Sequence, residues 1–137
     1  MLSAAQRKQL GDLAGLSGID LLLQFGSTVS GKTHAASDLD VAVRFVGQYP
    51  DRHRLGSFMQ ALQAIVPDRE VDVSLINGAD PLHLFKICEA CVLLHGNPRD
   101  LCELKLLAFK RYQDHRRFFA MEAAFVDRFL EKRGGHR

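Results

Sequence analysis

Nowhere in this chain do apolar residues run to the roughly 18 that cross a bilayer, and no basic opening followed by an apolar core marks an export signal. Membrane insertion and secretion are therefore not expected. Charge of one sign is lacking too. The 18 Lys and Arg against 16 Asp and Glu leave a net +2, too mild for the electrostatic footprint of a nucleic-acid binder. Cysteine is scarce. The single C-x-x-C, Cys88 and Cys91 with His95 behind it, has only Cys102 besides and no second C-x-x-C to complete a zinc set. Residues Cys91 to His95 read as a short strand after a helix ending near Ala90, so the two thiols are expected to diverge as buried, inert side chains. In an unexported chain they are expected to be reduced. Internal repeats and low-complexity tracts are missing as well. What remains is an ordinary soluble composition, 47% apolar and 25% charged over 137 residues, which suits one core and not two. The expectation is one cytoplasmic domain over residues 1–132, with Arg133 to Arg137 as a disordered tail.

The organising stretch is LLLQFGSTVSGKTHAASDLDVAV, residues 21–43. Leu21 to Phe25 reads as a buried strand broken by Gly26-Ser27, and Val41-Ala42-Val43 as a second strand entered through Ser37-Asp38-Leu39-Asp40. Alternation along that second strand puts Asp38 and Asp40 on one face, with Leu39, Val41 and Val43 on the other. Two carboxylates at the mouth of a strand repel each other, and a divalent metal is the usual relief. The bland reading is a turn holding two solvated aspartates.

Gly26 to Thr33 also spells G-x-x-x-x-G-K-[ST], the phosphate loop of P-loop NTPases. Only His34 to Ser37 separate Thr33 from Asp38, whereas a parallel crossover needs about 10 to 12 residues. The two strands are more naturally antiparallel neighbours, and the P-loop spelling a coincidence.

The rest of the chain supplies an α+β frame. A helix is expected over residues 3–16, capped by Ser3, with Leu10, Leu13 and Leu16 as its apolar edge. Asp51 caps a strongly amphipathic helix in which Leu55, Phe58, Met59, Leu62, Ile65 and Val66 form the core face and which Pro67 stops. Glu70 to Ile76 alternates as a strand, with Val71, Val73 and Leu75 facing one way and Glu70, Asp72 and Ser74 the other. Asp80-Pro81 opens a further helix. Pro98 to about Lys132 has helical composition. Unbroken, it would span about 50 Å, and its phenylalanine-rich far half suggests a partner-binding face. The alternative is a break near Gln113-Asp114 that folds this half back on the core. A carboxylate from the 70–76 strand beside Asp38 and Asp40 would complete a two-metal site; Asp72 and Glu70 both lie on the correct face.

Gly26-Ser27, ten residues and then Asp38-Leu39-Asp40 resembles the G-S-x10-D-x-D signature of the DNA polymerase beta nucleotidyltransferase superfamily, with Gly31 and Ser37 also matching its smallest members. Thr28 and Ser30 stand where basic residues are common there. The resemblance implies a mixed sheet flanked by helices with a long C-terminal helix. It also implies catalysis and binding of two Mg2+ ions by Asp38, Asp40 and Asp72, and ATP held by Gly26, Ser27, Lys32 and Ser37. In size and pattern the chain is similar to minimal nucleotidyltransferase antitoxins of the MntA type. These inactivate a HEPN ribonuclease toxin of the HepT type by adding AMP to a tyrosine. The toxin's own R-x4-H-x-Y motif is absent from this sequence. Two other readings stay open: a small-molecule transferase subunit resembling aminoglycoside nucleotidyltransferases, and a silent module that neutralises the toxin by docking.

Overall fold

A computed structural model describes residues 2–30, 38–47 and 49–134. In chain order these form α1 (Ala4–Leu16), β1 (Ile19–Phe25), the single turn α2 (Ser27–Ser30), β2 (Leu39–Phe45), α3 (Arg52–Ile65), β3 (Val71–Leu75), α4 (Pro81–Glu89), β4 (Cys91–Gly96) and α5 (Pro98–Gly134). The strands make one mixed sheet in the order β3-β2-β1-β4. β1 runs antiparallel to β2 and to β4, whereas β2 and β3 are parallel and joined through α3. The loop after β1 therefore returns the chain antiparallel, as the short spacing to Asp38 requires.

Helix starts follow the sequence signals. Ser3 and Gln6 form a reciprocal capping box, and Asp51 and Asp80 accept from the backbone amides of Arg54 and His83. One face of the sheet buries Leu22, Leu39, Val41, Val43, Phe45 and Val71 against Leu10 and Ala14 of α1 and Phe58 and Leu62 of α3. The other buries Leu21, Leu23 and Ala42 under Leu84, Ile87 and Cys88 of α4 and Leu104 and Ala108 of α5. Central strands covered on both faces read as near-continuous apolar runs, which is why LLL in β1 and VAV in β2 lack polar alternation. β1 begins at Ile19, two residues before the apolar run. A register irregularity between Ile19 and Leu21 accommodates Asp20, whose two carboxylate oxygens accept from Nε and Nη2 of Arg44 at 2.9 and 3.0 Å.

β3 is an edge strand with β2 as its one neighbour, and a side-chain amide pins each of its ends. Before it, Gln63 Nε2 donates to the carbonyls of Val66 (2.8 Å) and Arg69 (2.7 Å) while Gln63 Oε1 accepts from the Val71 amide at 3.0 Å. After it, Asn77 exchanges two hydrogen bonds with the backbone of Phe45, at 2.9 and 3.0 Å, extending the ladder by one rung made of side-chain atoms.

Some expectations are corrected. Leu16 is 89% exposed and Met59 40% exposed. Each lies at the margin of its helix's apolar stripe, where the sheet no longer covers it. Cys88 and Cys91 do not diverge, because both thiols pack in the cluster beneath α4 and α5. Burial, then the neighbouring Cys91, pushes the Cys88 thiol up to about 11, so it stays protonated at neutral pH. Of the two paths open to the C-terminal segment, the expected long helix holds and the break at Gln113-Asp114 does not occur: α5 is one helix of 37 residues, about 55 Å long at 1.5 Å per residue. Its first half covers the sheet and stacks Tyr112 on Phe85 with ring centroids 4.0 Å apart. From Met121 to Lys132 every side chain is exposed, including Phe125, Val126, Phe129 and Leu130. The helix continues through Arg133 and Gly134, which were expected to belong to the tail; residues 135–137 lie outside the described residues. Among the described residues no helix is long and apolar enough to cross a membrane.

Candidate functional site

The parallel ladder sets Leu39 level with Val71 and Asp40 level with Asp72. Leu39, Val41, Val43 and Val71 are committed to the core shared with α1 and α3. Alternation then turns Asp40 and Asp72 to the opposite face, side by side on adjacent strands. Asp38 sits one residue before β2, two positions from Asp40. Asp40 is half-buried, while Asp38 and Asp72 are exposed at the strand mouths. The start of the ladder is fixed by the Leu39 amide, which donates to the Glu70 carbonyl at 2.9 Å.

Gly26 approaches the same carboxylate from β1, whose last residue Phe25 pairs with Asp40. Its φ is +80°, and a Cβ placed there would lie 2.6 Å from Asp40 Oδ2. The missing side chain therefore serves two purposes: it permits the left-handed turn, and it leaves the space that the Asp40 carboxylate enters. The turn Ser27–Ser30 follows at once, its Val29 amide donating to the Gly26 carbonyl at 3.1 Å. Thr28, where the signature commonly has a basic residue, donates its hydroxyl back to the Phe25 carbonyl at 3.4 Å, so it secures the turn. Lys32 and Ser37 lie outside the described residues.

The Asp40 carboxyl is pushed above its ordinary value, first by burial, then by the charge of Asp72, then by that of Asp38. The charges of Asp72 and Asp38 thus both reach Asp40, and Glu70, the competing choice for the third, is not among the charges that raise it. Among the described residues no three acidic, Cys or His side chains close up into a ready-made chelate. The donor set nevertheless fits a hard divalent cation: all oxygen, half-buried at its centre, and under a mutual repulsion that such an ion would relieve. Sequence reasoning placed the three aspartates on one sheet face, but missed the approach of Gly26 to Asp40. The two lie fourteen positions apart, and nothing local in the sequence announces the contact.

The family model described as polymerase beta, nucleotidyltransferase matches residues 13–100, a span holding Gly26, Asp38, Asp40 and Asp72. Among solved structures, a chain of the toxin-antitoxin crystallised with AMP-PNP has a TM-score of 0.71 at 21% identity, covering 90% of this chain and 98% of its own. A chain of the tri-AMPylated Shewanella oneidensis HEPN toxin in complex with MNT antitoxin gives 0.67 at 19% identity, over 92% of this chain and 97% of that one. A chain of the MntA-HepT toxin-antitoxin gives 0.67 at 18%, over 93% and 99%. At these identities the likeness is one of fold. No curated protein matches the sequence significantly.

Proposed function

This chain belongs to the polymerase beta nucleotidyltransferase family, and from that premise we propose that it transfers AMP from ATP to a tyrosine hydroxyl of a HEPN ribonuclease toxin and so neutralises it. The observation that carries the chemistry is the alignment of Asp40 with Asp72 on one sheet face, closed from β1 by Gly26. Support for the substrate and partner comes from the chains of similar fold, which occur in complexes described as toxin-antitoxin, one with AMP-PNP and one with a tri-AMPylated toxin. Support for the aspartates comes from a further similar structure. It is a mutant in which two aspartates, spaced as Asp38 and Asp40 are, have become glutamates.

Asp38, Asp40 and Asp72 would hold Mg2+, two ions in the full site; bound there, the metal supplies the neutralisation of triphosphate charge that in-line displacement needs. The chain's own groups do the positioning. Gly26 lets the backbone come close to the phosphates. The Ser27 hydroxyl donates to a terminal phosphate oxygen, and Ser37 and Lys32 complete the cradle, Lys32 with the charge that Thr28 and Ser30 do not provide. Asp72, at the exposed end of the row, accepts the proton of the attacking hydroxyl. The new bond joins that oxygen to the α phosphorus, the α–β phosphoanhydride bond breaks, and pyrophosphate leaves with the electron pair. Positioning and charge complementarity account for the whole of this catalysis.

The test is incubation with ATP labelled at the α phosphate, with Mg2+, in the presence of a cognate HEPN protein. Label is expected on the toxin, with pyrophosphate released, and it is expected to vanish in a folded Asp38→Asn variant. Label on a soluble hydroxyl compound in place of the toxin would favour a small-molecule transferase. Tight toxin binding with no turnover would leave a docking module.

A further inference from the structure

The carboxylate row depends on an edge strand. A single-residue slip of β3 against β2 would send Asp72 to the opposite face, and edge strands lack the second neighbour that would forbid it. The apolar pattern Val71, Val73, Leu75 resists the slip, but the β3 segment is short and these residues are only partly packed toward its end. The strand's approach is held by one side chain. Gln63, half-buried in the last turns of α3, spans the 66–71 connection with three hydrogen bonds of 2.7 to 3.0 Å: two donated to the carbonyls of Val66 and Arg69, one accepted from the Val71 amide. The last of these lands on the residue next to Asp72. On the other side of the same connection the Glu70 carbonyl receives the Leu39 amide, which leads directly to Asp40. One amide side chain thus fixes where β3 begins relative to α3, at the point where β3 first meets β2.

We infer that Gln63 is a positioning residue, holding the entry to β3 so that Asp72 arrives level with Asp40. This rests on the transferase reading for its consequence, though not for its geometry. Asn77 supplies a matched control. Its side chain also makes backbone hydrogen bonds that tie β3 to the sheet, but at the opposite end of β3 from Asp72. A merely structural role for Gln63 predicts that removing either amide has the same effect. A positioning role predicts that they differ.

The experiment compares Gln63→Ala and Asn77→Ala in the full chain by amide hydrogen exchange and by toxin-directed transfer at several Mg2+ concentrations, well below both melting temperatures. In Gln63→Ala, exchange is expected to accelerate at least tenfold at Val71, Asp72 and Val73 with α3 unchanged. The turnover number should fall about tenfold and the Mg2+ concentration for half-maximal activity should rise severalfold. Asn77→Ala should accelerate exchange near Ile76 and Asn77 and leave turnover and Mg2+ dependence within about twofold of the parent. Should Gln63→Ala not fold, Gln63→Met carries the same comparison, since it keeps the length of the side chain and loses the acceptor for the Val71 amide as well as both donations. Unchanged exchange at Asp72, or the same kinetic change in both variants, would overturn the assignment. A parent chain that transfers nothing to the toxin would instead overturn the transferase reading, and the exchange result would still decide whether Gln63 governs β3.

Discussion

Asp40→Asn is expected to lower AMP transfer by at least about a hundredfold, the scale on which a preorganised charge-stabilising group acts, and at the same time to raise thermal stability slightly. The two effects have one cause. Burial, Asp72 and Asp38 all oppose the charge on Asp40, so the folded state holds its proton more tightly than the unfolded chain does. For a carboxyl raised in this way the native penalty is absent below the ordinary value of 3.8. It grows as pH rises from there through the elevated value, and it is complete above that. An uncharged asparagine removes the penalty, so the stability difference should be near zero in acid and reach its full size at neutral pH. Asp40 is only half-buried, and the solvent that reaches it screens the repulsion, so the gain is on the order of a degree in Tm. Added Mg2+ should stabilise the parent and not the variant. A lower melting temperature for the asparagine protein at pH 7 without metal would show that Asp40 is held by favourable contacts and does not sit in a strained row.

Gly26→Ala is expected to be costly to both fold and function. A left-handed backbone at φ +80° costs an L-residue roughly 1–2 kcal/mol, measurable by denaturant midpoint. The new methyl would also meet Asp40 Oδ2 at 2.6 Å. The carboxylate is the flexible partner, so the clash is relieved by moving it, and relief takes the form of a displaced functional group. Activity should therefore fall by about a hundredfold, well beyond what the lost stability explains, because displacements near 1 Å at a reacting centre carry penalties of that order. A variant destabilised as expected but still fully active would mean that Asp40 has no fixed position to lose.

Much of this arrangement was legible in the residues, because it is written in alternation. Leu39, Val41 and Val43 determine which way Asp40 points, Val71 and Val73 do the same for Asp72, and the four residues between Thr33 and Asp38 are too few for a crossover helix. Caps at Ser3, Asp51 and Asp80 are local events, and local signals gave them. What could not be read was long-range or negative. Nothing in the sequence singles out Gln63, since its partners belong to a connection whose path the sequence does not reveal. Leu16 and Met59 obey the helical period and still face solvent, because the period specifies a stripe and not how far the sheet extends beneath it. The continuity of α5 was undecided for the same reason: an apolar stripe predicts burial somewhere, without saying whether the helix bends back to obtain it.

That continuity gives the chain two thermal behaviours. The sheet and the helices packed on it share two cores and should melt together, but α5 from Met121 to Lys132 has every side chain exposed and shares none of that cooperativity. Isolated helical segments of this length are marginal in water, and parts of a protein without tertiary contacts open at far lower free energy than its core. Helical circular dichroism should therefore begin to decline while fluorescence or near-ultraviolet probes of the core still report a native molecule. A two-state fit to the helical signal would underestimate the stability of the domain.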